Sequence, residues 1–250
     1  MYKLYSLFKE KIDQLPNKAE ILAQFELQET TTVPIAELLS KKYDVIEFDS
    51  KRYTDFTSYI KAVDWQTNLM ATADSLIFQN KKYKPYNILT ETLLRILKKN
   101  INRVNSQMPI IIIGDANFVI SVATKLAFSG FVEIIVSLTD ADDKVIKDLE
   151  HKIKSFIFDL NLKIISINEL TSANQAGFLL ISNFKREQNK DAYDLLAYFN
   201  FLSEGAMFID CNSINDSYLV EDARKADIFV IDEVEILTNK YLRMHLTPVN

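Results

Sequence analysis

The sequence predicts an α/β protein: a Rossmann-like, doubly wound parallel sheet domain plus a smaller, shortened N-terminal α/β domain. Three observations carry that reading. Residues 109–137, PIIIIGDANFVISVATKLAFSGFVEIIVS, run apolar strand, Gly turn, helix with small residues facing inward, second Gly, second apolar strand. That order is the βαβ unit of a dinucleotide-binding fold. Downstream, short apolar strands alternate with helical patterns as far as residue 231, which gives a parallel sheet with helices on both faces. Finally, all four glycines (Gly114, Gly130, Gly177, Gly205) fall between residues 114 and 205, so the two parts of the chain differ in turn chemistry.

Along the chain, the first segment is MYKLYSLFKEKIDQLP, amphipathic and mixed in charge, which reads as a helix over Tyr2–Leu15. Residues 17–28 and 34–42 read as helices, with Pro34 near the start of the second, behind Thr31 and Thr32. Tyr43–Phe48 is expected to be a strand, Tyr53–Val63 a helix, and Ser75–Phe78 a strand before a Lys-rich turn. Thr90–Ile101 places Leu93, Leu94, Leu97 and Ile101 on one helix face behind a Thr90 cap. The polar stretch Lys98–Gln107 separates that helix from the next domain. Strands are then expected at Ile110–Ile113, Glu133–Ser137, Lys163–Ile167, Phe178–Ser182, Met207–Asp210 and Ile228–Ile231. Helices are expected at Phe118–Ser129, Asp142–Phe156, Asp191–Phe201 and Ser217–Lys225. Tyr193, Tyr198, Phe199, Phe201 and Phe208 read as packing residues.

Composition narrows the function classes. A chain of 250 residues with 48% hydrophobic content can bury a proper core. The formal charge of −5 gives no basic footprint for nucleic acid, and Lys81–Lys84 and Lys98–Lys99 read as solvated faces. The single cysteine, Cys211, excludes an internal disulfide framework and fits a reducing compartment. No apolar run is long enough for a membrane span or signal peptide, so the cytoplasm is the expected location. His151, His245 and Cys211 lack metal-ligand spacing, and no metal is expected. Asp140, Asp142 and Asp143 read as a helix N-terminus rather than a calcium loop.

Several segments resemble the shikimate dehydrogenase family. ATADSLIFQNKKYKPYNILTETLLRIL, residues 71–97, is similar to the family's GAVNTLVF, polar turn and GYNTDGxGF. GAMFIDCNSINDSYLVEDARKADIFVIDEVEIL, residues 205–237, is similar to GALVYDLVYNPxxTPLLRxAxxxGxxVIDGLGML. TTVPIAELLSKKYDVIEFD, residues 31–49, is similar to SLSPxxHNxxFxxxxLxxxYxxFD. The resemblance implies a substrate-type domain over 1–97 with an N-terminal helical extension. It further implies a Rossmann-like domain over 98–235, and a C-terminal helix over 236–250 returning to the first domain.

Carried over residue by residue, the resemblance puts the substrate-binding serines on Thr31 and Val33, and the substrate-binding asparagine on Asp74. The catalytic aspartate falls on Leu89, with Asn87 retained and Ile88 replacing the threonine, and a glutamine near the final helix falls about Lys240. The VTVPHK motif with its catalytic lysine has no visible counterpart, Lys61 being the only lysine near the expected place. Alcohol oxidation needs a positioned proton donor or acceptor beside the hydride path, and leucine cannot serve. Glu91 lies two residues beyond Leu89, which on a helix turns its side chain by about 200°.

The cofactor positions depart as well. Against G-x-G-x-x-G/A the chain supplies Gly114, Ala116 and Val119, with Asp115 and Asn117 also in the loop. A carboxylate about 4 Å from a phosphate oxygen costs up to about 4 kcal/mol at an effective dielectric near 20, or roughly three orders of magnitude in affinity. Where the family's NRT motif offers an arginine to a 2′-phosphate, the chain has Ser137, Leu138 and Thr139, and an NAD-type acid at the strand end is absent unless Asp140 serves. Asp232, Glu233 and Glu235 stand where the family has glycines.

The expectation is therefore a shikimate-dehydrogenase-like pseudoenzyme that acts as a binding or scaffolding subunit, with a protein partner or self-association and no cofactor. Two alternatives stand beside it: an NAD(P)-dependent oxidoreductase on a small shikimate-like hydroxy acid, using NADP or NAD and residues such as Lys61 or Glu91, and a small-molecule sensor using the interdomain cleft.

Overall fold

A computed structural model describes residues 1–28, 34–41, 43–60, 65–103, 107–140, 143–157, 159–170, 175–182, 184, 186–187, 190–212 and 218–244. The chain divides into two compact units, Met1–Thr92 with Leu237–Asn250, and Leu93–Ile236.

Unit 1 opens with a strand. β1 (Tyr2–Ser6) is followed by α1 (Lys9–Asp13), α2 (Lys18–Gln24), β2 (Phe25–Gln28), α3 (Ile35–Ser40), β3 (Val45–Glu47), α4 (Tyr53–Phe56), α5 (Trp65–Met70), β4 (Ser75–Gln79) and β5 (Lys82–Tyr86). The sheet order is β2-β1-β3-β4-β5, parallel between β1 and both its neighbours and antiparallel from β3 to β5. The N-terminal helix expected over Tyr2–Leu15 is thus corrected: its first residues lie inside the sheet, and only Lys9–Asp13 is helical. The reason is burial on both faces: Leu4, Tyr5 and Ser6 are consecutive and all enclosed, as in a strand covered on both sides, whereas an amphipathic helix turns part of such a run to solvent. The helix expected over 17–28 likewise stops at Gln24, and FELQ joins the sheet edge. The core packs Tyr5, Tyr43, Ile46, Phe48, Phe56 and Leu76, with Phe48 and Phe56 stacked at 4.5 Å.

Unit 2 is reached through α6 (Ile88–Asn100). It runs β6 (Ile110–Gly114), α7 (Ala116–Phe128), β7 (Glu133–Leu138), α8 (Asp143–Lys154), β8 (Asn161–Ile164), α9 (Ile167–Leu170), β9 (Ala176–Ile181), α10 (Lys190–Leu196), β10 (Leu202–Asp210), α11 (Tyr218–Lys225) and β11 (Phe229–Ile231), and the chain continues into α12 (Glu233–Met244). The strand order β11-β10-β9-β6-β7-β8 is parallel throughout. It is the doubly wound order, with the topological switch point between β6 and β9. Its central strands, IIIIG and AGFLLI, are buried along their whole length, as a sheet covered on both faces requires. Tyr193, Phe199, Phe201 and Phe208 are in the core, but Tyr198 is not: it is 77% exposed.

Among the described residues, no helix is long and apolar enough to cross a membrane, and no group of three or more His, Cys, Asp or Glu side chains is placed to hold a metal ion.

Candidate functional site

In a doubly wound sheet a ligand sits beyond the carboxyl ends of the strands at the switch point, and its phosphates face the first turn of the helix after the first strand. Here that helix is α7, entered from Gly114. Its N-terminus is already supplied with negative charge. Asp115 is the N-cap, 3% exposed, and its Oδ1 accepts from the Phe118 amide at 3.0 Å. Asp140, two residues past the end of β7, accepts from the Ala116 amide at 3.2 Å. The Thr139 amide donates to the Gly114 carbonyl at 3.0 Å, which draws the segment after β7 towards the head of α7. The sequence offers Asp140 either to the helix that begins near residue 142 or as an NAD-type acid at the strand end; its carboxylate bonds the head of the helix before it.

Gly114 is required for packing. A Cβ there would stand 2.7 Å from Phe118 Cδ1 and 3.0 Å from the Ser182 carbonyl oxygen, so the Phe118 ring fills the space that the glycine leaves. Phe118 is buried. Ser137 is buried in β7, and Asn117 lies on the first turn of α7. At the head of α7, therefore, at least two first-turn amides are bound to carboxylates of the chain itself, and the space beside the glycine holds a ring.

In unit 1 the corresponding carboxyl ends of β1 and β3 carry Ser6 and Glu47, both completely buried. Glu47 is the centre of a polar network. Ser6 Oγ donates to Glu47 Oε2, and Tyr241 Oη lies 2.9 and 3.1 Å from the two carboxylate oxygens. Lys240 Nζ pairs with Oε1 at 2.5 Å, its side chain 6% exposed. The ammonium also stands 5.9 Å from the centre of the Phe8 ring, a cation–π distance. Burial, followed by the charge of Glu47 and the hydrogen bond to it, holds the Tyr241 phenol well above its ordinary range. α12 is thereby fixed to unit 1, and Thr238 Oγ1 adds a bond to Asn17 Oδ1 at 3.0 Å.

The remaining positions from the sequence divide clearly. Asp74 is buried, and its carboxylate accepts from the amides of Ile88 and Leu89, each at 2.8 Å, and from Ser75 Oγ at 2.8 Å. It caps α6, satisfying two of the donors that a helix N-terminus leaves open. Asn87 Nδ2 donates to the Thr72 carbonyl at 2.9 Å. Leu89 and Glu91 sit half-buried on the first turn of α6. Asp74, Asn87 and Leu89 are thus brought together, while Lys240 joins Glu47, a residue that sequence reasoning does not single out. Its signal is one acid inside the apolar run VIEF. Thr31, Val33, Lys61, Asp142 and His245 lie outside the described residues. Asp232 caps α12 through the Glu235 amide and pairs with Arg224 at 2.8 Å. Cys211 is half-buried, and its amide donates to the Ile181 carbonyl at 2.8 Å.

The sequence puts the expected place of the lysine motif near Lys61. In the fold, a strand leading into a turn that carries a lysine occurs at Ile46–Lys51: β3 ends at Glu47, a helical turn spans Ser50–Arg52, and Lys51 is exposed. The Phe48 amide donates to the Asp74 carbonyl at 2.9 Å, so this turn leaves the sheet beside Asp74.

A six-stranded doubly wound sheet, together with a smaller mixed sheet whose unit is completed by α12, is a shikimate-dehydrogenase-like fold. Solved structures agree. The chain is similar to shikimate 5-dehydrogenase from Listeria monocytogenes in complex with shikimate and NAD, with a TM-score of 0.71 and 11% identity, over 98% of this chain and 91% of that one. It is similar to quinate dehydrogenase from Corynebacterium glutamicum in complex with NAD, with a TM-score of 0.71 and 12% identity over 97% and 92% of the two chains. 5-Ketofructose reductase of Gluconobacter sp. strain CHM43 gives a TM-score of 0.67 and 11% identity over 98% and 92%. No protein-family model and no curated protein sequence matches the chain.

Proposed function

We propose that this chain is a binding protein built on a dehydrogenase fold, a pseudoenzyme that works as a partner-binding or self-associating subunit. The observation that carries the reading is the Glu47–Lys240–Tyr241–Ser6 network. At the carboxyl ends of β1 and β3, polar groups of this chain bind one another: a buried carboxylate takes an ammonium and two hydroxyls. The resemblance places a substrate-facing glutamine at Lys240, and here that side chain is committed to Glu47. The carboxylates of Asp115 and Asp140 at the head of α7 act in the same sense against a dinucleotide. Leucine at position 89 supplies no proton to a reacting alcohol.

One observation favours an NAD(P)-dependent oxidoreductase instead. Lys51 follows β3 where a strand-and-turn lysine motif would place it, beside the Asp74 segment, in a fold shared with structures that hold shikimate and NAD. Titration of the purified chain with NADH and NADPH, followed by nicotinamide fluorescence and melting temperature, decides between the two. No binding at about millimolar cofactor, about −4 kcal/mol, supports the binding-protein reading. Binding near micromolar, about −8 kcal/mol, overturns it and makes Lys51 and Glu91 the first residues to test in turnover. Light scattering on the same preparation reads self-association directly.

A further inference from the structure

We infer that Asp115 and Asp140 are the exclusion determinants of unit 2, internal stand-ins for the phosphates that this fold otherwise accepts. The inference rests on the binding-protein reading. Its geometry lies at the head of α7. The first amides of a helix point outward without intrahelical partners and favour negative charge. In α7 the Ala116 and Phe118 amides are bonded to carboxylate oxygens from the chain itself, at 3.2 and 3.0 Å. An incoming phosphate would have to displace both carboxylates or approach them at like charge.

The two acids do different work. Asp115 is an enclosed cap on its own helix, 3% exposed, so it sustains the structure as well as the charge. Asp140 is exposed and reaches α7 from the end of the neighbouring strand β7. It sits where the strand end after the first βαβ crossover delivers an acid to the ribose hydroxyls of NAD in such folds. Here that side chain is delivered to the helix amide instead. Asp140 is therefore the removable part of the barrier and Asp115 the built-in part. The pair makes exclusion of the dinucleotide an active property of two side chains.

The test is a gain of binding. Asp140→Ala removes the exposed carboxylate and leaves the cap. Asp115→Ser combined with Asp140→Ala removes both charges while serine keeps a capping oxygen for the helix. Asp148→Asn, on an exposed position of α8, gives the same change in net charge as the single variant without touching α7. Each full-length protein is titrated with NADH and with inorganic pyrophosphate, with circular dichroism and melting temperature as checks on folding. The expected order is wild type and Asp148→Asn weakest, Asp140→Ala tighter, and the double variant at least about tenfold tighter than wild type. A folded double variant, or a folded Asp140→Ala, that binds no better than a non-binding wild type overturns this inference and leaves the proposed function standing. An equal gain in Asp148→Asn overturns it in favour of net charge. Micromolar binding by wild type overturns the proposed function itself, and the exclusion with it.

Discussion

Replacing Lys240 with Met is expected to destabilise the protein by about 3 kcal/mol, because stripping a buried ion pair of one partner costs about 3–5 kcal/mol. The lower end applies because Glu47 keeps Ser6 and Tyr241 as donors, and because methionine retains most of the apolar stem that lysine packs there. For a chain of this size the loss corresponds to a fall in melting midpoint of about 6–12 °C. Urea unfolding followed by far-UV circular dichroism measures it. The companion variant, Glu47→Gln with Lys240→Met, removes both charges and is expected to recover at least about 1 kcal/mol of the sum of the single losses, a coupling typical of residues in contact. Two results would refute the reasoning: a Lys240→Met protein within about 0.5 kcal/mol of wild type, the range of an ordinary surface change, or single losses that simply add. Either would mean that the ammonium is not committed to Glu47, and the binding-protein reading would lose the observation that carries it.

Three further outcomes come from local geometry. Gly114→Ala forces a Cβ to within 2.7 Å of the Phe118 ring and 3.0 Å of a carbonyl oxygen, and is expected to cost about 1–3 kcal/mol by overpacking, read from the unfolding midpoint. Asp74→Ala removes a charged acceptor from two amides of α6 and should cost about 1.5–3 kcal/mol, with Asp74→Asn milder in the same assay. Stability should fall in alkali. The Tyr241 phenol is raised by burial and by Glu47, and Tyr193 is pushed up to about 12, mainly by burial. A group whose folded value is raised favours the native state fully below its unfolded value near 10, and that contribution is lost as pH climbs towards the folded value. A melting temperature that stays level from pH 9 to about 12 would contradict this.

The parallel half of the fold is legible because its signals are local. IIIIG and AGFLLI are apolar throughout, and the helices between them carry strong periodicity. Unit 1 hides its strands. Residues 2–6 read as helix because their alternation is imperfect and no turn residue marks their end. β5 reads as a turn because it is rich in lysine. The hairpin joining β4 to β5 turns on Asn80 and Lys81, both at positive φ, 50° and 64°, the conformation of a type I′ turn that usually advertises itself with glycine. At the sites, Asp115 stands out in the sequence as the wrong residue in a loop, but what it bonds to does not. Asp140 meets Ala116 across 24 positions and Glu47 meets Tyr241 across 194, and no periodicity encodes pairings at such distances. Asp74 shows the converse: its position is identified from the resemblance, while its bonds are those of a helix cap.

The distance between Glu47 and its partners also sets an order of events as the chain is made. Synthesis delivers β1, β3 and the Glu47 carboxylate early, then the whole of the continuous unit Leu93–Ile236, and only afterwards the ammonium and phenol of α12. Until those last turns emerge, closing the sheet of unit 1 would enclose a carboxylate without its cation, which carries a heavy penalty. Closure of the N-terminal sheet over Glu47 is therefore tied to the arrival of the C-terminal helix.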